Sequence, residues 1–145
     1  VSEIGGCPAF ARGTWRCRHN MFYWTNANWW ALGPSASGHV NGVRWKNVPR
    51  LQEYLDHGPL PPIIDVERVD EDTRIGEQLM LGLRLIDGMT LGHVDELLSG
   101  GSRGSQRAAA INTHVKAGLL ERTADHLRLT PSGLLLADGI LADLI

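Results

Sequence analysis

Ile75, Leu79, Leu83 and Ile86 recur at spacings of four, four and three, with Met80 beside them. Only an α-helix puts such positions on one face. Asp70 suits the N-cap of this helix, and Glu71 and Asp72 in its first turn oppose the helix dipole. Gly88 suits its end. The same signals continue downstream. Thr90 predicts the cap of a second helix with Leu91, Val94, Leu97 and Leu98 inward. GGSRGS is a turn. Ser105 predicts the start of a third helix with Ala108, Ile111 and Val115 inward, ending at Gly118. LLERTADHLRL predicts two short strands about a turn at Ala124-Asp125. Thr130-Pro131 is a cap followed by proline at the first helical position, opening a last helix from Leu134 to Leu144.

The first half of the chain lacks this regularity. Gly5, Gly6, Pro8 and Gly13 punctuate residues 1–28, which predicts mostly loop with a short starting strand. WWALGPSAS, residues 29–37, predicts a short strand entering a Gly-Pro turn. Asn41-Gly42 predicts a hairpin turn, Val43 to Val48 the return strand, and Pro49 the first turn of a helix reaching His57. GPLPPIIDV is a proline-rich connector. The expected organisation is therefore residues 1–57, a linker over 58–69, and a domain over 70–145. The expected fold class is α+β: a small strand-and-loop segment followed by a mainly helical, winged-helix-like domain.

Charge and aromatics follow the same division. Residues 1–50 hold all five Trp, both Phe and one of the two Tyr, with six bases against one acid. Residues 51–89 hold nine acids and three bases. The whole chain sums to −2, which gives no general bias toward nucleic acid or an anionic membrane. No apolar run approaches the ~20 residues that cross a bilayer. Two cysteines in 145 residues suggest reduced thiols and a cytoplasmic setting rather than a disulfide scaffold. VSEIGGCPAF lacks the parts of a signal peptide. The crowding of aromatics into residues 1–50 leads us to expect self-association, as a homodimer or aggregate.

Three stretches carry chemistry. In CRHNMFYW, His19, Asn20, Tyr23 and Trp24 offer an imidazole, an amide and two rings. Neutral imidazole ligates haem iron, and Tyr and Trp stack on flat ligands; equally, the rings anchor a loop to a core and His19 is a satisfied hydrogen-bonding partner. Cys17-x-His19 is at most half a metal site. In LGPSASG, small residues let backbone approach a ligand, or form a tight turn and nothing more; the P-loop ending is missing. On the third predicted helix, Arg103, Arg107, His114 and Lys116 either face a DNA groove or form a solvated face. Six acids and five bases over residues 90–145 weigh against the groove. HExxH, Gly-x-Ser-x-Gly and paired-carboxylate patterns are absent, so no catalytic or metal-ligating residue is assigned.

FARGTWRCRHNMFYW resembles the segment F-A-R-P-G-x-x-C-R-H-N-x-x-Y-W of oxygen-independent coproporphyrinogen III oxidase-like radical-SAM proteins, above all their HemW haem-chaperone branch. WWALGPSASGHVNGVRWKN resembles the stretch that follows there, with its small-residue turn and arginine-x-x-asparagine. LMLGLRLIDGM resembles the opening of that family's C-terminal domain and LRLTPSGLLLADGIL its close. The resemblance implies that residues 1–57 are the last part of a radical-SAM barrel and that the rest of the barrel is a partner. It implies haem binding by His19, Asn20, Tyr23 and Trp24; the clustered bases add Arg18 or Arg44 as the partner of a propionate, since a guanidinium matches a carboxylate in a bidentate way. It implies S-adenosylmethionine beside Gly33, Ser35, Ala36 and Ser37, with Ser37 touching adenine through its backbone. A 4Fe–4S cluster is implied too, but the C-x3-C-x2-C motif that holds it is absent, and Cys7 and Cys17 cannot replace it. The chain alone is then expected to be inactive. Haem carriage and oxidative decarboxylation of coproporphyrinogen are the two functions the resemblance implies; nucleic-acid binding, through aromatic stacking in residues 10–45 and the winged helix, is the third expectation. Gly13 and Trp30 depart from the family's usual proline and leucine.

Overall fold

The computed structural model describes residues 22–145, which fall into two compact units, residues 27–70 and residues 22–26 with 71–145. His19, Asn20, Arg18, both cysteines and the expected starting strand lie outside the described residues.

Residues 27–70 build an antiparallel sheet in the order β1 (Ser37–Val40), β2 (Val43–Asn47), β3 (Ile63–Arg68), with helix α1 (Leu51–Asp56) between the last two strands. Asn41 at φ 51° and Gly42 at φ 76° form the two-residue turn between β1 and β2. Two left-handed residues in succession match the twist of paired strands, which is why Asn-Gly occurs there. The Asn28 side chain holds this turn, accepting from the Asn41 amide at 2.9 Å. The helix predicted after Pro49 begins at Leu51.

Two expectations fail in this unit. The Gly-Pro turn is present, but the strand expected to enter it is not: before the turn only Trp29 bridges, its amide donating to the His39 carbonyl at 2.8 Å and its carbonyl accepting from His39 at 2.9 Å. Pro34 lacks an amide proton and Ser35 stands at φ 59°, so a ladder cannot run through them. The stretch 58–69 is not all linker either. Once past Pro61 and Pro62, its β-branched Ile63 and Ile64 pair with Asn47 and Lys46 of β2, and Glu67 and Arg68 with Arg44 and Val43. All described pairing is antiparallel, whereas the strands of a closed α/β barrel run parallel.

The other unit follows the sequence closely. Its elements are α2 (Glu71–Leu83), β4 (Met89–Thr90), α3 (Leu91–Ser99), α4 (Gly104–Lys116), β5 (Leu120–Arg122), β6 (His126–Leu129), α5 (Pro131–Leu135) and α6 (Ala137–Ala142). Its sheet runs β4-β6-β5. Thr90 and Thr130 cap α3 and α5 through their hydroxyls, as expected. Ile75, Leu79, Leu83, Val94, Leu97 and Ile111 meet Leu127, Ile140, Leu141 and Leu144 in one core. Ile86, expected to join that face, is 50% exposed. The α-helix stops at Leu83, and Leu85 then bonds Gly82 three residues back, so the helical period no longer places residue 86 inward. The single helix expected over 134–144 is broken at Leu136, φ −114°, between two short helices that each carry a weak helix former, Gly133 and Gly139.

One buried cation ties this unit together. Arg107 is 0% exposed. Its Nε donates to the Leu144 carbonyl at 2.9 Å, Nη1 to the Asp72 carboxylate at 3.0 Å, and Nη2 to the Asp72 carbonyl at 2.7 Å. Asp72 also accepts from the Ser102 hydroxyl at 2.6 Å and from the Ser102 and Arg103 amides. The Ser102 hydrogen bonds, aided by Arg107, lower the Asp72 carboxyl from its ordinary 3.8 to about 2. A carboxyl depressed on folding stabilises the fold above its unfolded value and ceases to do so as pH falls through the folded one. Acid unfolding of the wild type, followed by circular dichroism, is therefore expected to show a stability loss between about pH 4 and pH 2 that Asp72→Asn flattens. Arg107→Met is expected to cost about 3 kcal/mol at neutral pH, because it leaves buried acceptors unpaired; thermal denaturation reads that loss.

Candidate functional site

The Gly33–Ser37 turn is held from below by its own sheet. Asn47 is 2% exposed, and its amide Nδ2 donates to the carbonyls of Ala31 at 3.1 Å and Gly33 at 2.9 Å. The Asn47 backbone amide donates to Ala36 at 2.9 Å. Tyr54 on α1 accepts the Gly33 amide on its hydroxyl at 3.0 Å, and Ser35 donates its amide to Val48 at 3.3 Å. A buried side-chain amide with both protons on loop carbonyls fixes a loop that has no ladder of its own. Gly33, at φ 99°, has open space where a Cβ would stand. The four residues assigned to S-adenosylmethionine, Gly33, Ser35, Ala36 and Ser37, thus share one rigid, small-sided turn. Its inner amides are already bonded, those of Gly33 and Ser35 outside the turn and that of Ala36 to the Gly33 carbonyl. The Ser37 backbone faces the outer edge of β1, the edge that bonds Trp29 at His39, because strand polar groups alternate. The Ser37 carbonyl there accepts from the Trp29 indole at 3.0 Å. A carbonyl keeps a second lone pair, so this edge fits a base-edge donor.

The neighbouring rings form the rest of the unit's core. Trp45 lies across Gly38, where a Cβ would run into the indole. Trp30 meets Trp45 edge to face, centroids 5.4 Å apart at 71°. Trp30 thereby offers an exposed ring where the family it resembles often has leucine. His39 is buried against Trp29, and its Nδ1 lies 3.2 Å from the Ala27 carbonyl, an acceptor only, so Nδ1 carries the proton.

In the other unit, Tyr23 and Trp24 sit on a helical turn over residues 22–24. Trp24 is half-buried and walls a cleft of about 270 Å³ with Gln78, Gly82, Leu85, Met89 and His93. Tyr23 is more exposed and does not line that cleft. The structure therefore brings Trp24 to a concave surface without bringing Tyr23 to the same one.

The basic residues of the third predicted helix do not form a groove-facing stripe. Arg107 is internal, as above. Arg103 donates to the Ile145 carbonyl and to Gln106, and His114 Nε2 lies 2.9 Å from Asp143. Of the four, Lys116 alone is an exposed cation without such a partner. Among the described residues, no group of three His, Cys, Asp or Glu is placed to hold a metal, and no helix is long and apolar enough to cross a membrane.

Asn47, Tyr54, Met89 and His93 were not assigned a role from sequence. Asn47 ends the arginine-x-x-asparagine of the resemblance, so its signal was present. Tyr54 is a lone aromatic in a polar helix, and His93 stands three residues before Glu96, a spacing that pairs them on a helix.

Comparison with known proteins identifies the family the chain is similar to. The HemN C-terminal domain family matches residues 69–136. The chain is 34% identical over 131 residues to the heme chaperone HemW of Mycobacterium tuberculosis, covering 89% of this chain and 31% of that protein. It is 27% identical over 133 residues to HemW of Bacillus subtilis, covering 90% and 35%. It thus spans about a third of the length of the curated relatives it matches. Among solved structures, coproporphyrinogen III oxidase (HemN) from Escherichia coli, a radical-SAM enzyme, superposes with a TM-score of 0.60 over 81% of this chain and 28% of that one, at 15% identity. That likeness is one of fold.

Asn47→Ala is expected to destabilise the unit of residues 27–70 by about 1–3 kcal/mol through two orphaned carbonyls. Amide hydrogen exchange in that unit should rise while the Arg107 unit stays protected.

Proposed function

We propose, since this chain belongs to the HemW-like and oxygen-independent coproporphyrinogen III oxidase-like radical-SAM family and carries its HemN C-terminal domain, that the longer protein it represents binds and delivers haem. The observation that carries the proposal is the identity to HemW across nearly the whole chain, with the His19–Trp24 motif intact. In this reading His19 ligates the iron, Asn20 orients that loop, and Tyr23 and Trp24 flank the macrocycle. Placement of Trp24 in a cleft lined by Leu85 and Met89 supports its share of that role, whereas Tyr23 stands outside the cleft. Arg18 or Arg44 pairs a propionate, for which a guanidinium is the matching fork.

We read the sheet of residues 27–70 as the edge of the radical-SAM region and the order α2-α3-α4-hairpin as winged-helix-like. The Gly33–Ser37 turn fits S-adenosylmethionine: it is small-sided, fixed by Asn47, and turns the Ser37 backbone to the outer edge of β1, where its carbonyl keeps a second lone pair. The cofactor and its cluster supply one-electron chemistry when bound. This chain's part is to shape the adenine side of the pocket and keep water from it. It holds no ligand set for the cluster, so no step through the cluster is assigned to its residues. The engagement of Arg103, Arg107 and His114 within the fold weighs against a basic helix face for nucleic acid.

A haemin titration on the full-length protein tests the proposal. Wild type is expected to give a shifted Soret band that His19→Ala weakens by on the order of tenfold or more. Equal shifts and affinities would reject the assignment. Decarboxylation of coproporphyrinogen by the reconstituted protein would instead favour the oxidase.

A further inference from the structure

Among the described residues, His93 lines the same cleft as Trp24 of the His19–Trp24 motif. The Thr90 hydroxyl, capping α3, accepts its backbone amide at 3.4 Å, which fixes where the side chain leaves the helix. His93 Nδ1 lies 3.3 Å from Glu96 Oε2. A carboxylate oxygen accepts, so the ring proton stands on Nδ1 and Nε2 is left with its lone pair. Among the described residues Nε2 has no hydrogen-bond partner, and the side chain is 45% exposed. Carboxylate, Nδ1–H and an open Nε2 form the arrangement that orients histidines for metals.

The walls around it suit a flat apolar ligand. Trp24 offers an indole face, Leu85 an alkyl surface, and Met89 a thioether that contacts aromatic rings well. Gly82 keeps Met89 in the floor, because a Cβ there would collide with its thioether. Gln78 adds a polar edge, its Oε1 already bonded to Arg74 at 3.0 Å. At about 270 Å³ the cleft is smaller than pockets that enclose whole ligands, about 300–1,000 Å³. It takes one edge of a macrocycle and leaves the remainder outside.

We propose that His93, oriented by Glu96, is an axial iron ligand for the tetrapyrrole whose edge enters the Trp24–Met89 cleft. The proposal rests on the haem-binding reading and deepens it: the HemN C-terminal domain supplies a ligand to the cargo as well as a cover. It adds to the ligand assigned to His19, and together they make six-coordinate, low-spin ferric haem.

The test uses the full-length protein loaded with haemin, read by absorbance and electron paramagnetic resonance. Wild type is expected to be low-spin. His93→Ala is expected to become high-spin with affinity weakened by on the order of tenfold, and added imidazole should restore the low-spin spectrum. His93→Met, which exchanges nitrogen for thioether, should retain haem with an altered low-spin signature. Glu96→Gln should weaken binding less than His93→Ala does. A high-spin wild type, or a His93→Ala protein with an unchanged spectrum while His19→Ala loses haem, would overturn this ligand and leave the haem reading standing. No haem binding by wild type would overturn both. Should His93→Ala not fold, an unchanged spectrum in His93→Met overturns the proposal by itself.

Discussion

A single guanidinium, fully enclosed, joins the start of one helix to the body of another and to the end of the chain. Arg107 reaches the carboxylate and the carbonyl of Asp72 and the carbonyl of Leu144. A charge removed from water is tolerated only when every donor is satisfied. That requirement fixes the relative position of α2, α4 and the last turn more tightly than apolar contact alone, which is not directional. The core leucines fill the space that this bond defines. Once α2 is placed, Gly82 in its last turn and Leu85 just beyond it stand beside Met89 and His93, and the cleft exists. A charge buried for architecture thus determines a concavity on the surface.

The other unit solves the same problem with a neutral group. The stretch from Trp30 to Ala36 has no ladder, yet its carbonyls must be bonded. Asn47 supplies two protons from beneath, and Tyr54 takes the Gly33 amide from the side. An asparagine is short and planar, so it tolerates little movement before both bonds are lost. The turn gains definition without a side chain projecting over it, which is what a small-residue binding surface needs.

Legibility differed between the two halves for a physical reason. In residues 71–145 the determinants are local: period, caps and turn residues lie within a few positions of what they control. Thr90, Thr130 and the hairpin about Ala124-Asp125 were readable for that reason. The Arg107–Asp72 pair spans 35 positions, and a helix-face arginine looks the same whether solvated or buried. In residues 27–70 the hairpin was readable from Asn41-Gly42, but β3 was hidden behind prolines that proved to mark its start. The four turn residues of the candidate site were visible as a small-residue stretch, while their support from Asn47 depends on contacts 14 and 16 positions away. His93 was one histidine among six until the fold set it beside Trp24.

Strand β3 has every residue exposed, three of them large and aliphatic: Ile63, Ile64 and Val66. Such a sheet margin is a template on which a second copy could extend the ladder. Midway along it, Asp65 adopts φ 52° where the register with β2 shifts, and its carboxylate lies 3.4 Å from Lys46. A kink of the wrong hand and an ion pair in the middle of a sticky ribbon act as a gatekeeper. Both features work against a straight ladder being continued along this margin, in the way natural edge strands are protected.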